Sequence, residues 1–344
     1  MARRRRLNRT RTAAAVTGLL LALGLAAWAG WEFLLSPNGS GAPRQVLLPE
    51  GGGVGAFAVR LERAGVIRSA LAFRLLVKLQ QSETRLKPGT YAFRGSEGAR
   101  RILERTVRGD VLTFSVTIPE GKTLDQVADL IARQGFCSEQ AFRDAATRSP
   151  ADFDIPAPTY RKSLEGYLMP DTYRFPRPTR PERIVRTLVE NWRRRIFKPN
   201  RKLFEQGNLA LDQVMIAASL IEREARVDRD RPLIASVIRN RLERGMRLQI
   251  DATVLYALGH HKERVLFRDL EVDHPYNTYR NAGLPPGPIC SPGAAAVEAM
   301  LKPAHTAFLY YVARPDGSHI FSRSGDEHGA AIQTSRRLRA AREQ

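Results

Sequence analysis

The chain has 344 residues, 43% of them hydrophobic, and carries a formal net charge of +20. That length and apolar content exclude a disordered polymer and suffice for two or three domains with cores of their own. The two cysteines, Cys137 and Cys290, match no metal-ligand spacing and read as ordinary buried thiols, and the basic excess favours polyanionic partners such as nucleic acid, anionic lipid or an acidic cell-wall polymer.

Six arginines (Arg3, Arg4, Arg5, Arg6, Arg9 and Arg11) form a basic tail over 1–12. Outside that tail, a genome that prefers arginine explains the excess charge equally well. The stretch 13–35 is almost wholly apolar. As a helix it would span roughly 34 Å, enough for a hydrocarbon core of about 30 Å. Trp28, Trp31 and Phe33 stand near its far end, where aromatic side chains favour the interface. The positive-inside rule then puts the N-terminus in the cytoplasm and exports everything after Leu35. Ala27-Trp28-Ala29 also fits a signal-peptide cleavage pattern, but the apolar run exceeds the usual h-region of about 7–15 residues, which favours an uncleaved anchor. Export weakens the nucleic-acid reading of the charge.

The segment 36–45, rich in Gly, Ser, Pro and Asn, reads as a linker. A repeat follows. Val46-Leu47-Leu48-Pro49-Glu50-Gly51 recurs as Val116-Thr117-Ile118-Pro119-Glu120-Gly121, each followed by a helical pattern and a glycine, Gly65 or Gly135. Pro88-Gly89-Thr90-Tyr91-Ala92-Phe93 recurs as Pro170-Asp171-Thr172-Tyr173-Arg174-Phe175. Two related α+β modules, the second enlarged by an insertion over about 116–175, account for both halves of the match. The region of about 180–259 reads as helical, with Ile184, Leu188 and Trp192 on one face of the first helix and Ile234, Val237, Ile238 and Leu242 on one face of another. Leu211 to Arg226 is the most apolar helix of the exported part. Asp273 to Pro292 reads as a long ordered loop. Phe308 to Val312 and His319 to Ser322 flank Pro315-Asp316-Gly317, a hairpin signal, and Gly325 to Gln344 ends in a basic helix.

Several motifs lead nowhere. Gly53-Val54-Gly55-Ala56-Phe57-Ala58 is a loose dinucleotide pattern without a βαβ context. His260-His261 reads as a solvated helix end. There is no H-E-x-x-H and no G-x-S-x-G, so no metal site and no cofactor are expected, and carboxylates become the candidates for chemistry. In Ser219-Leu220-Ile221-Glu222-Arg223-Glu224-Ala225-Arg226, Glu222 has Ala218 and Ser219 one turn back and Arg226 at i+4, the pattern of a surface ion pair. Glu224 has Leu220 and Ile221 one turn back and continues an apolar stripe. Apolar surroundings disfavour the charged carboxylate and raise its pKa, which suits a general acid for glycosidic cleavage. A helix that simply ends with Glu224 in solvent is the alternative.

These residues, with Val237-Ile238-Arg239-Asn240-Arg241-Leu242, Gly245-Met246-Arg247-Leu248-Gln249, Asp251-Ala252-Thr253-Val254, Tyr276-Asn277-Thr278-Tyr279, Gly283-Leu284-Pro285-Pro286-Gly287-Pro288-Ile289, Pro292-Gly293 and Glu165-Gly166-Tyr167, resemble the endolytic murein transglycosylases of the YceG-like family over nearly the whole chain. The resemblance implies an α+β protein with a single N-terminal transmembrane helix, a small LysM-like module at 46–111, and a mixed α+β catalytic domain at 112–344 with a central helix carrying the acid. In that family the acid is the second glutamate of the pair, which falls on Glu224. Ala225 and Ala252 stand where the family commonly has a hydroxyl residue and a proline, which leaves loop details open.

What the resemblance implies is lytic cleavage of the β-1,4 bond from N-acetylmuramic acid to N-acetylglucosamine, leaving a 1,6-anhydro end. A hydrolytic glycosidase pairs two carboxylates; a lytic enzyme needs no attacking water, so one carboxylate can act as acid and then as base. Gln249, Asn277, Tyr279, Glu165 and Asp251 are expected substrate contacts, with structural roles in loops as the alternative. Peptidoglycan strands and, by resemblance, polymerising synthases are the expected partners. A non-enzymatic peptidoglycan-binding scaffold is the rival reading, and the retained Glu224 argues against it.

Overall fold

The apolar run forms most of helix α1, Ala2–Leu35. Within it Ala14–Leu35 is long and apolar enough to cross a membrane, and Leu19, Leu20, Leu21, Leu23 and Leu25 all stand mostly exposed, which is compatible with a single-pass anchor. The computed structural model describes residues 2–39, 41–49, 51–148, 150–155, 163–259, 262 and 265–342. The chain divides into two compact units, Met1–Phe114 with Pro176–Pro178, and Ser115–Phe175 with Thr179–Gln344. His260 and His261 lie outside the described residues.

In the first unit β1 (Arg44–Leu48), α2 (Val54–Arg63), α3 (Ala70–Leu79) and β2 (Gly89–Phe93) precede α4 (Ala99–Arg108). β1 and β2 pair antiparallel with Val46 opposite Tyr91. Alternation turns Val46, Leu48, Tyr91 and Phe93 inward onto Phe57, Leu61, Phe73, Leu76, Ile102 and Leu103. Each such buried side chain contributes roughly 1.5–3 kcal/mol. Leu35, the last residue of α1, belongs to this core. The stretch read as a linker is hydrogen-bonded within the same unit. Asn38 Nδ2 donates to the Gly65 carbonyl at 3.1 Å, the Arg68 guanidinium donates to the Pro37 carbonyl at 2.8 Å, and β1 begins at Arg44.

The second unit opens with β3 (Phe114–Ile118), α5 (Leu124–Arg133), α6 (Glu139–Ala146) and β4 (Asp171–Phe175), and β3 pairs with β4. The repeat therefore has a common strand–helix–helix–strand order, including a second helix in each copy (α3, α6) that the sequence pattern did not reveal. The likeness reaches single atoms. Gly51 and Gly121 share φ near +74°, 73° and 75° respectively, and Gly65 and Gly135 also take positive φ, so both copies need glycine at the same turns. Ser69 and Ser138 cap α3 and α6 in the same way, accepting from Ala72 N–H and Ala141 N–H. Tyr91 donates to the Lys87 carbonyl at 2.7 Å and Tyr173 to the Met169 carbonyl at 2.6 Å, and each tyrosine stacks on the phenylalanine two residues on.

Then come α7 (Pro181–Trp192), a π-turn at Arg193–Phe197, α8 (Lys198–Gln206), α9 (Leu211–Glu224), α10 (Arg231–Glu243), α11 (Asp251–Leu258) and α12 (Ala294–Leu301). α9 packs against α10, α11 and α12 and buries Leu211 and every residue from Val214 to Ile221. A helix apolar on all sides must be surrounded, which makes α9 the centre of the unit. β5 (Tyr310–Ala313) and β6 (His319–Ser322) form the expected hairpin, Tyr310 opposite Ser322, and α13 (Gly325–Arg342) lies against it. Both cysteines are free; Cys290 is buried beside the Ser219 carbonyl and burial pushes its thiol up, whereas Cys137 is half-buried.

Candidate active site

α9 ends at Glu224, because Ala225 turns extended at φ −75°, ψ 123°. The loop before α12 runs along the last turns of α9 and secures them. Ser219 Oγ accepts from Ile289 N–H at 3.0 Å, and Glu222 Oε2 accepts from Gly293 N–H at 3.0 Å. Gly293 is the N-cap of α12, so Glu222 supplies an acceptor to a helix N-terminus, where unpaired N–H groups and the helix dipole favour a carboxylate. Arg231 lies 3.7 Å from its other oxygen, and only 8% of the Glu222 side chain is exposed. The expected surface ion pair of Glu222 with Arg226 is thus corrected: the loop before α12 crosses that face of the helix and buries it.

Glu224 is treated differently. Its apolar neighbours one turn back, Leu220 and Ile221, are fully buried. Among the described residues its one hydrogen-bond donor is the Tyr311 hydroxyl, at 3.1 Å from Oε2; Oε1 has none. Burial pushes its carboxyl up to about 7; the Tyr311 bond pulls against that rise, Asp251 adds to it, and Arg223 opposes it. Tyr311 is itself pushed well above the ordinary phenol range by burial and by the Glu224 charge, so it stays a donor. It stands on β5, with the His319 ring edge-on at 5.4 Å. His319 in turn is held by Asp230, whose Oδ2 accepts from its backbone N–H at 2.8 Å and lies 2.9 Å from Nδ1.

Arg241 secures the surrounding backbone. Its Nε donates to the Leu309 carbonyl at 2.6 Å, just before β5, and one terminal nitrogen donates to the carbonyls of Arg247 and Leu248 at 3.1 and 2.8 Å. One buried cation thereby fixes both the strand bearing Tyr311 and the segment leading to Gln249 and Asp251. Gln249 is exposed with φ +51°, a left-handed conformation unusual for a side chain of its kind, and its N–H donates to the Thr278 carbonyl. Asp251 opens α11 and accepts from the Tyr279 hydroxyl at 2.5 Å. Burial first, then Asp251 and Glu224, push the Tyr279 phenol up. Glu224, Tyr311, Asp251, Tyr279 and Arg241 therefore form one electrostatic cluster.

Two expected contacts fall elsewhere. Asn277 is fully buried; its Nδ2 donates to the Leu270 and Val272 carbonyls at 2.9 and 2.8 Å, and its Oδ1 accepts from Tyr279 N–H. It shapes the loop that carries Tyr279 and has no surface for a sugar. Glu165 is 5% exposed, and both its oxygens accept from Leu124 N–H at 3.0 Å, at the N-terminus of α5. Burial pushes its carboxyl up to about 8, against the hydrogen bonds from Leu124 and Tyr256. Its role is to cap α5, because the first N–H groups of a buried helix need an acceptor.

Glu224 lines a cleft of about 450 Å³ with Arg223, Arg226, Arg314, Arg339 and His319. A second cleft of about 340 Å³, lined by Asp125, Gln126, Tyr256 and His274 among others, also borders Arg223. The sequence reading missed Tyr311, Arg241 and the cleft arginines. The one available signal was the hairpin pattern, which would have set Tyr311 on a strand without saying what it faces. Among the described residues no group of three or more His, Cys, Asp or Glu is arranged to hold a metal ion.

Residues 46–334 match the model of the YceG-like family. The chain is 35% identical over 303 residues to an endolytic murein transglycosylase of Bacillus subtilis, covering 83% of this chain and 82% of that protein. It is 30% identical over 311 residues to an endolytic murein transglycosylase of Streptococcus pneumoniae, covering 82% of this chain and only 56% of that longer protein. A crystal structure of a yceG-like protein from Listeria monocytogenes superposes with a TM-score of 0.57 at 34% identity, over 85% of this chain and 99% of that one.

Proposed function

The chain belongs to the YceG-like family, and from that premise we propose that it is an endolytic peptidoglycan lytic transglycosylase with Glu224 as its catalytic acid. One observation carries the assignment. Glu224 is the carboxyl that borders an open cleft, is pushed up to about 7, and keeps one oxygen without a donor among the described residues. Glu222 and Glu165, the other two raised carboxyls among the described residues, are spent on helix N-termini.

The chemistry balances on one carboxyl. Protonated Glu224 gives its proton to the glycosidic oxygen as the bond from C1 of N-acetylmuramic acid breaks and positive charge develops at C1. The C6 hydroxyl of the same sugar closes onto C1, and the carboxylate takes the hydroxyl proton, which restores the acid and leaves a 1,6-anhydro end. Tyr311 holds the carboxyl in place and stabilises its charged form between the two transfers. Asp251 and Tyr279, which act electrostatically on or with Glu224, and the exposed Gln249 serve as sugar contacts. Residues 46–111 serve as a LysM-like glycan-binding module ahead of a catalytic domain at 112–344. α1 anchors the enzyme with its arginine-rich end in the cytoplasm and its catalytic part outside, where it cuts nascent strands beside the synthases that make them and so ends their elongation.

A purely glycan-binding scaffold is the second reading, favoured by the compact, separately cored first unit. Purified sacculi treated with wild-type protein and with Glu224→Gln separate the two. The wild type should release anhydro-ended glycans and the variant at least about 100-fold fewer. Equal yields from both would sink the assignment, and no anhydro ends from either would favour the scaffold.

A further inference from the structure

The cleft that holds Glu224 collects arginines from three separate elements. Arg226 comes from the segment after α9, Arg314 from the turn between β5 and β6, and Arg339 from the end of α13. Among the described residues none of the three has an ion-pair partner within 4 Å. Other arginines of the same unit are matched: Arg143 with Asp125 and Glu139, Arg195 with Asp171, Arg231 with Asp228 and Glu222. The placement is held by specific bonds. Ser335 Oγ donates to the Ala313 carbonyl at 2.7 Å and the Arg342 guanidinium to the Pro315 carbonyl at 2.5 Å, so α13 is fastened to the hairpin turn at two points. Arg314 N–H donates to the Ser318 carbonyl at 2.7 Å and closes that turn. Like charges gathered in one cleft repel, and an anion entering the cleft relieves that repulsion.

Resting on the lytic reading above, we propose that this cleft is a subsite for the carboxylates of the peptide stem borne by the muramic acid at the scissile bond, so that the enzyme prefers stem-bearing strands to strands stripped of peptide. In a stem-bearing strand the lactyl carboxyl of muramic acid is tied up in the amide to the stem, so the sugar backbone itself offers only hydroxyl and acetamido groups, which give the guanidinium groups nothing to neutralise. The stem adds carboxylates, the anions whose geometry the guanidinium fork matches. The subsite adjoins the acid, so stem recognition would register the strand over Glu224.

The test is a binding measurement on the full-length Glu224→Gln protein in detergent, with fluorescent uncross-linked glycan strands either carrying their stems or stripped by an amidase, which removes every stem carboxylate and leaves one lactyl carboxylate close to each muramic acid ring. The stem-bearing strand should bind about tenfold more tightly at low salt, and the preference should shrink as salt rises. Adding Arg226→Gln, Arg314→Gln and Arg339→Gln together should make the two strands bind alike, and each single substitution should remove part of the preference. Equal affinity of the parent for both strands, or a preference that survives the triple substitution, overturns the proposal. So does tighter binding of a poly(glycerol phosphate) chain than of the stem-bearing strand, which would make the cleft a phosphate site. Turnover by the wild type is measured separately: missing anhydro ends there would refute the lytic reading, whereas strand preference in binding decides the subsite.

Discussion

Replacing Tyr311 by Phe removes the single hydrogen bond that Glu224 receives among the described residues, at 3.1 Å, while leaving the ring in place. A bond to an ionised acceptor is worth about 1.5–3 kcal/mol and a neutral one about 0.5–1.5 kcal/mol, so the ionised form of Glu224 loses about 1 kcal/mol more than the protonated form. At about 1.4 kcal/mol per pH unit, its pKa should rise by about 0.7 from a starting value of about 7. The direction agrees with the downward pull of Tyr311 on that carboxyl. If protonated Glu224 is the acid, the rate of anhydro-end release falls as pH rises through about 7 in the wild type, and that alkaline limb moves upward in Tyr311→Phe. The maximal rate should drop because the carboxyl loses its orienting partner, while the fraction of that rate retained at pH 8 should increase. The assay is the initial rate of anhydro-muropeptide release across pH 5–9 on one strand preparation. An alkaline limb that stays put or moves down in the variant would refute the reasoning, whatever happens to the maximal rate.

Glu165 is raised from 4.5 to about 8, so between those values the folded chain keeps a proton that the unfolded chain has released. Stability is therefore undiminished below about pH 4.5 and declines as pH climbs to about 8, by a few kcal/mol in order of magnitude; Glu165→Gln should flatten that decline in denaturant melts at pH 5 and 8.5, and parallel curves would count against it. Glu222→Ala should cost about 2–4 kcal/mol by leaving the Gly293 N–H and Arg231 short of a buried acceptor, seen as a lower melting temperature; an unchanged one would contradict the capping role. Gly166 has φ +87°, and a Cβ there would come within 2.5 Å of the Pro288 ring, so Gly166→Ala should destabilise by about 2 kcal/mol or more, and a variant melting with the parent would show that the loop yields freely.

Much of the local architecture was legible because it is written in short-range pattern. The repeat was visible as letters, and its two copies share glycine φ values, serine caps and tyrosine hydrogen bonds because each depends on residues within a few positions of one another. The apolar helix over α9, the hairpin around Pro315-Asp316-Gly317 and the long loop before α12 follow from periodicity and turn chemistry in the same way. α3 and α6 were overlooked, since each is short and follows directly on another helix.

The two glutamates at the end of α9 mark the limit of that reading. Helical spacing showed that Glu224 extends an apolar stripe, and Leu220 and Ile221 are indeed buried. The same spacing assigned Glu222 to the surface, and there it failed, because burial of Glu222 comes from a loop about 70 residues away in sequence. Sequence alone determined that this helix would be strongly apolar and would carry two carboxylates near its end. Only the tertiary structure decided their fates: Glu222 became the cap of another helix, while Glu224 was left facing a cleft with one phenol from a strand 87 positions on. The physical reason is that a carboxylate's chemistry is set by the donors and charges around it, and those arrive from segments that no local pattern connects.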